Sequence, residues 1–315
     1  MRLVFRADAS FAIGSGHVMR SSAIAEEGIA RSLPTVFVGT IADLQWVSER
    51  IHGLGFTEIV EVNTEFISDP NNDILILDSY EIAVDDNFIQ PSGWKAVVSI
   101  FDELTPEYKS DLRVHTGLTN SWPIFTETKT LGGPEYVPLR KSIKKSGITF
   151  DLDLPKIIVV GGGSDATEFV SAISRSLARC KFQFNAILFT TLDESLALDN
   201  RFTVVPIGKD LDDIANTADL VFTTASTTSL EFIARGCAVA IGCAVDNQEQ
   251  YYKELSKRNF AAPIGKFFSG EWHLKDELIK ELVDSSALRA KLRRNSNGLI
   301  DLNGAKRIVD EILKL

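Results

Sequence analysis

The chain has 315 residues, which at about 100–200 residues per domain predicts two domains. Hydrophobic residues make up 44% and charged residues 24%, values that exclude a disordered or fibrous chain. With 33 basic against 43 acidic residues the net charge is −10, which argues against a nucleic-acid partner but leaves room for one local phosphate pocket.

Three cysteines, Cys180, Cys237 and Cys243, make neither a disulfide framework nor a Cys-x-x-Cys pair. The opening Met1-Arg2-Leu3-Val4-Phe5-Arg6-Ala7-Asp8 carries charge where a signal peptide needs an apolar core. No apolar run approaches the roughly 20 residues of a membrane span. A cytoplasmic protein without a membrane span is expected.

Short apolar runs alternate with helix-length segments. Leu3 to Phe5, Thr35 to Val38, Ile59 to Val62, Ile74 to Leu77 and Ala96 to Ile100 read as strands of a parallel sheet covered on both faces. Val18 to Leu33 reads as a helix, with Ala25, Ile29 and Leu33 along one stripe. The chain turns polar and basic around Leu139 to Pro155, with Lys141, Lys144, Lys145 and Gly147. The alternation then restarts: Ile157 to Val160, Ala186 to Phe189, Phe202 to Val205, Leu220 to Phe222 and Ala238 to Ile241. The spacing predicts an α/β protein of two Rossmann-like, doubly wound domains, 1–140 and 154–302, with a linker at 141–153. A closing helix at 303–315 places Ile308, Ile312 and Leu315 on one face.

Chemistry is expected at the strand ends. After the first strand come Arg6 and Asp8, then Gly14-Ser15-Gly16-His17 opening the helix, with Arg20 one turn on. Glycines let a ligand approach the backbone, and a helix N-terminus favours anions. Met19 stands where a dinucleotide fingerprint needs its third glycine, and Val38-Gly39-Thr40 offers no acidic residue for a ribose, so NAD is not expected. His17 has two readings, packing beside Arg20 or acting as a base that the helix N-terminus keeps neutral. His52, His115 and His273 show no metal-ligand spacing and read as surface or loop residues.

Gly161-Gly162-Gly163-Ser164-Asp165 follows a strand and precedes a helical stretch, Glu168 to Arg179, without the lysine of a P-loop. It reads as a diphosphate cradle or as a tight turn capped by Ser164 or Asp165. Ser226-Thr227-Thr228 offers hydroxyl and amide donors ahead of a helix carrying Glu231, placed to accept ribose hydroxyls or simply solvated. Asn247-Gln248 suits sugar hydroxyls or the start of a helix. Asp151-Leu152-Asp153 lies in the linker, away from any strand end, and reads as chance.

Taken in order, these motifs carry a resemblance. Arg6-x-Asp8 with Gly14-x-Gly16-His17-x-x-Arg20 is similar to the opening of the UDP-2,4-diacetamido-2,4,6-trideoxy-β-L-altropyranose hydrolases of pseudaminic acid biosynthesis, and of related spore-coat polysaccharide proteins. The resemblance continues at Asp78-Ser79-Tyr80, Asp85-Asp86, Phe101-Asp102-Glu103 and Gly133 to Arg140. It returns at Gly161 to Asp165, Ser226 to Glu231, Asn247-Gln248 and Gly304-Ala305-x-Arg307. The chain departs from the family at Ser79, where histidine is frequent, at Phe101, where a second aspartate is common, and at Val114 to Gly117.

The resemblance implies the GT-B fold, two Rossmann-like domains facing across a cleft. It implies hydrolysis of a UDP-sugar to free sugar and UDP by inverting displacement, without cofactor or metal. His17 would activate water, Tyr80 and Asn247 would place the sugar, and Gly162, Gly163, Ser164, Asp165, Ser226, Thr227, Thr228, Glu231 and Gln248 would hold UDP, with Arg6, Asp8, Gly14, Gly16 and Arg20 lining the substrate site. Two alternatives stay open: a GT-B glycosyltransferase moving the sugar to an acceptor hydroxyl, and a catalytically inactive nucleotide-sugar-binding protein. The exact sugar and the oligomeric state are not legible in the residues.

Overall fold

The structure is a computed structural model that describes residues 1–62, 66–102, 108–118, 128–145, 154–190, 199–208 and 211–315. Gly147, Glu103 and Asp151 to Asp153, named above, lie outside the described residues. The chain divides into two compact units, Met1–Lys141 with Asp301–Leu315, and Ser142–Ile300. Among the described residues no helix is long and apolar enough to cross a membrane. Cys180, Cys237 and Cys243 are buried free thiols.

The first unit holds strands β1 (Arg2–Ala7), β2 (Thr35–Val38), β3 (Glu58–Val60), β4 (Asp73–Asp78), β5 (Ala96–Phe101), β6 (Leu112–His115) and β7 (Lys129–Leu131). All pair in parallel, in the order β3-β2-β1-β4-β5-β6-β7. Strand alternation sorts the side chains onto two faces. Leu3, Phe5 and Ala7 join one core with Val18 and Ile24, while Val4 joins another with Leu75, Leu77 and Tyr108. Each fully buried Leu, Ile, Val or Phe contributes about 1.5–3 kcal/mol.

Helix α1 spans Gly16–Ala30, ending before the predicted Leu33, because the chain turns through Ser32 at φ 59°. Its buried residues are His17, Val18, Arg20, Ser21, Ser22, Ala23, Ile24, Ala25 and Gly28; of the predicted stripe Ala25 joins the core, Leu33 packs against it from beyond the helix, and Ile29 is half-buried. A Cβ on Gly28 would sit 2.9 Å from Leu3 Cδ1, which shows how closely α1 rides on β1. A second helix, α2 (Gln45–Gly53), packs Val47 and Ile51 into the same core.

The second unit repeats the plan with β8 (Lys156–Val160), β9 (Asn185–Phe189), β10 (Phe202–Val205), β11 (Leu220–Thr224), β12 (Ala238–Cys243), β13 (Ala262–Phe268) and β14 (Glu271–Leu274). Their order is β10-β9-β8-β11-β12-β13-β14. The helices are α3 (Phe169–Ala178), α4 (Leu211–Ala215), α5 (Thr227–Arg235), α6 (Glu249–Lys257), α7 (Asp276–Asp284) and α8 (Ser286–Ser296).

One strand departs from the all-parallel expectation: β14 runs antiparallel to β13. The two are joined by Ser269-Gly270 alone, at φ 54° and 82°, the backbone of a two-residue hairpin turn. Helix α9 (Gly304–Ile312) returns to the first unit and buries Ile308, Val309 and Ile312 beside α1. Gly304 admits no side chain, since a Cβ would lie 2.0 Å from the Val137 carbonyl oxygen.

Candidate functional site

In both sheets the strand order reverses once, between β1 and β4 and between β8 and β11. Open α/β sheets bind ligands beyond the carboxyl ends of the strands at such a reversal. His17 follows β1 and Asp78 ends β4, so the first reversal brings them together.

His17 Nδ1 lies 2.5 Å from Asp78 Oδ1, with the histidine 5% and the aspartate 0% exposed. Arg20, one turn along α1, grips the same carboxylate twice, Nε to Oδ2 and Nη2 to Oδ1, both at 2.6 Å. Its third nitrogen, Nη1, reaches Asp102 Oδ2 at 3.4 Å and Thr116 Oγ1 at 3.3 Å, beyond the ends of β5 and β6. Tyr80 donates its hydroxyl to the same Asp102 oxygen. The Tyr80 ring meets the His17 ring edge-on, with centroids 4.2 Å apart. Six side chains from α1 and three strand ends therefore form one buried polar cluster.

Burial pushes Asp78 toward its neutral form, but the charge of Arg20, then the charge His17 carries when protonated, and hydrogen bonds from both outweigh it and hold the carboxylate below its ordinary range. Burial likewise disfavours the Arg20 cation, and Asp78 and Asp102 more than reverse that. An ionised Asp78 accepts the proton on His17 Nδ1. In a neutral His17 that partner selects the Nδ1–H tautomer, whose lone pair is on Nε2, the form a general base requires.

Asp78, Asp102 and Thr116 were given no role from the sequence. The available signal was an aspartate closing an apolar strand beside the reversal. His115, expected at the surface or in a loop, is instead buried at the end of β6. It stacks edge-on with Phe101 at 5.1 Å and accepts from the Gly117 amide at 3.1 Å. Burial lowers its pKa to about 4, against a pull upward from Asp102, so it is neutral. Gly117 has no room for a Cβ, which would meet His115 Cε1 at 2.5 Å. His52 is exposed, and His273 lies in β14.

Arg6 shares the sheet face of Val4, opposite α1, and so stands apart from this cluster. Its Nη1 lies 2.6 Å from Asp8 Oδ1, which also accepts the Thr40 amide at 2.8 Å. Asp8 is thus engaged in holding the loop after β2. Gly14 turns at φ 81°, with its amide bonded to the Ser10 carbonyl, while Gly16 begins α1 with open space around its Cα. Ser15 makes no side-chain cap on α1, and the first turn carries no acidic residue.

In the second unit the reversal brings the glycine turn against the hydroxyl run. Gly162 adopts φ 94°, and the nearest atom to where its Cβ would lie is Thr224 Oγ1, at 3.7 Å. Thr224 Oγ1 in turn lies 3.4 Å from Ser226 Oγ. Helix α5 begins at Thr227 and Thr228, whose amides precede its first internal hydrogen bond, and Ser226 makes no side-chain cap. The half-buried Gly163 and Ser164 follow Gly162. Glu231 is buried on α5, one turn from its start.

Asp165 is placed otherwise. Its carboxylate turns inward and accepts the Phe169 and Val170 amides, at 2.9 and 3.2 Å. The N-terminus of α3 is thereby closed by the chain itself, and of the two helix starts at this reversal the one without a side-chain cap is that of α5. A Cβ on Gly161 would fall 1.8 Å from Asp165 Oδ1, so the first glycine of the run serves this cap. Asn247 sits in the turn after β12, half-buried. The Gln248 side-chain oxygen accepts the Ala244 amide at 2.9 Å, which fixes that turn.

No family's sequence profile matches the chain, and no curated protein matches it. Solved structures do. Acinetobacter baumannii MurG is 14% identical with a TM-score of 0.67, over 100% of both chains. CalG4, the calicheamicin glycosyltransferase, is 15% identical with a TM-score of 0.64, over 100% of this chain and 98% of its own. The putative UDP-N-acetylglucosamine 2-epimerase from Listeria monocytogenes is 14% identical with a TM-score of 0.66, over 99% and 95%. The fold is GT-B. At these identities the likeness is one of fold, and both Rossmann-like halves of the GT-B plan are accounted for by the two sheets.

Proposed function

We propose that this GT-B chain hydrolyses a UDP-linked diacetamido-trideoxy hexose to free sugar and UDP. The observation that carries the reading is the His17–Asp78 hydrogen bond, which orients the imidazole and leaves Nε2 unengaged by Asp78. In the reaction, His17 Nε2 takes a proton from water as the water oxygen bonds to the anomeric carbon. The bond from that carbon to the diphosphate oxygen breaks, and its electron pair leaves with UDP. The resulting imidazolium is stabilised by Asp78, as a general base needs. Displacement from the opposite side inverts the anomeric centre.

The second unit is assigned the nucleotide. Gly162, Gly163 and Ser164 with Ser226, Thr227 and Thr228 would receive the diphosphate, where the helix dipole of α5 stabilises the charge that develops on the leaving group. Glu231 would accept ribose hydroxyls, with Gln248 supporting from its turn. Tyr80 and Asn247 would place the sugar.

The resemblance of the ordered motifs supports the hydrolase, and the Listeria epimerase is named for a UDP-linked acetamido sugar. A second reading, transfer of the sugar to an acceptor hydroxyl deprotonated by His17, is favoured by one observation: CalG4, of the same fold, is a glycosyltransferase. Phosphorus NMR of the protein with a panel of UDP-sugars, without acceptor, separates them. Release of UDP from the diacetamido-trideoxy altrose derivative is expected. Binding without release supports the transferase, and no binding overturns both readings.

A further inference from the structure

The resemblance implies that Arg20 lines the substrate site, yet the side chain is 5% exposed and its donors face inward, to Asp78, Asp102 and Thr116. We propose that Arg20 is a positioning residue that keeps His17 unprotonated and ready to act as a base, a role resting on the reading of His17 as the base.

The groups around His17 set the charge balance. Arg20 faces it from α1, Asp78 from β4 and Tyr80 from the segment after β4. Asp102, from the end of β5, and the neutral His115, from β6, stand beyond Arg20. The charges of Asp78 and Arg6 both reach Tyr108. With His17 neutral, two carboxylates face one guanidinium, and such an excess of negative charge draws a proton onto the imidazole.

Arg20 opposes that in two ways. Its Nη2 stands 3.2 Å from His17 Nδ1, close enough for the like charge to disfavour an imidazolium. Its two-pronged grip also engages both oxygens of Asp78, which weakens the pull of that carboxylate on the ring. The same grip fixes Asp78 so that its Oδ1 meets Nδ1. Arg20 thus sets both the tautomer and the protonation state of the base without touching the substrate.

The test is an NMR titration of the full chain carrying labelled histidine, without substrate, with the His17 signal assigned by its loss in His17→Asn. In Arg20→Met the His17 midpoint should rise by about one pH unit or more, a tenfold change in protonation. Arg20→Lys, which keeps the charge but not the two-pronged grip, should fall between wild type and Arg20→Met. An unchanged or lowered midpoint in Arg20→Met overturns the proposal.

If Arg20→Met fails to fold because two buried carboxylates lose their counter-ion, Arg20→Met with Asp102→Asn restores the balance. Its midpoint should still exceed that of wild type, because the lost cation is nearer to the ring than the lost carboxylate. A midpoint at or below wild type overturns the proposal there too. The titration contains no reaction, so a raised midpoint together with full turnover in His17→Asn would sink the base reading and leave the charge effect of Arg20 standing.

Discussion

His17 and Asp78 are 61 positions apart in the chain, yet they meet at 2.5 Å with both side chains withdrawn from solvent. The meeting follows from topology. The pairing of β1 with β4 puts the first residues of α1 beside the last residue of β4, at the reversal of strand order. A single aspartate there orients one imidazole and anchors one guanidinium.

Asp78→Asn removes the charge and keeps the shape. Turnover should fall at least about a hundredfold, because the amide no longer fixes the Nδ1–H tautomer or stabilises the imidazolium. Stability should fall as well, by about 3–5 kcal/mol, because Arg20 is left buried without its main counter-ion. Steady-state kinetics and denaturant melts read the two effects separately. A variant that loses activity without losing stability would contradict the shared anchoring.

Glu231→Ala should weaken UDP binding by about tenfold, the loss of a hydrogen bond to a charged acceptor. Calorimetry with UDP alone measures this without any sugar chemistry. Unchanged affinity would remove Glu231 from the nucleotide site.

Asp165 gives the fold a pH dependence. Burial raises its pKa to about 7 despite the two amide hydrogen bonds, so the folded state favours the protonated carboxyl. A raised pKa means that its stabilising contribution is complete below about pH 4 and is lost as the pH rises to about 7. Wild type should therefore lose stability against Asp165→Asn across that interval in denaturant melts. A stability difference that does not change with pH would contradict the burial effect.

Gly161→Ala drives a methyl into the space of the Asp165 carboxylate. It should destabilise the protein by about 1–3 kcal/mol through overpacking and disruption of the α3 cap. UDP affinity should change little, because the helix start without a side-chain cap at this reversal is that of α5. A large loss of UDP binding at unchanged stability would instead place the nucleotide against the α3 turn.

Ten of the fourteen described strands were legible because each is a short, nearly continuous apolar run, whereas β6, β7, β13 and β14 escaped because charged or glycine residues interrupt them, as in the Lys129–Leu131 and Glu271–Leu274 segments. The start of α1 was legible from Gly14 to His17. What escaped was non-local or depended on one turn. Arg20 was read as a ligand because its three partners come from the ends of β4, β5 and β6, which no local pattern brings together. His115 was read as a surface or loop residue because burial at a strand end leaves no spacing signal. Asp165 read both as the cap of a tight turn and as a cradle residue, and the structure shows the cap, with Asp165 at a positive φ of 49° and its carboxylate on the α3 amides. The antiparallel β14 rests on the two residues Ser269-Gly270.

The central claim is that His17 is the base for cleavage of a UDP-sugar, and single-turnover phosphorus NMR of wild type and His17→Asn with the UDP-linked diacetamido-trideoxy altrose tests it most directly. Wild type should release UDP promptly, while His17→Asn should bind the substrate with nearly unchanged affinity and release UDP at least about a hundredfold more slowly. Equal release rates from the two proteins would contradict the account.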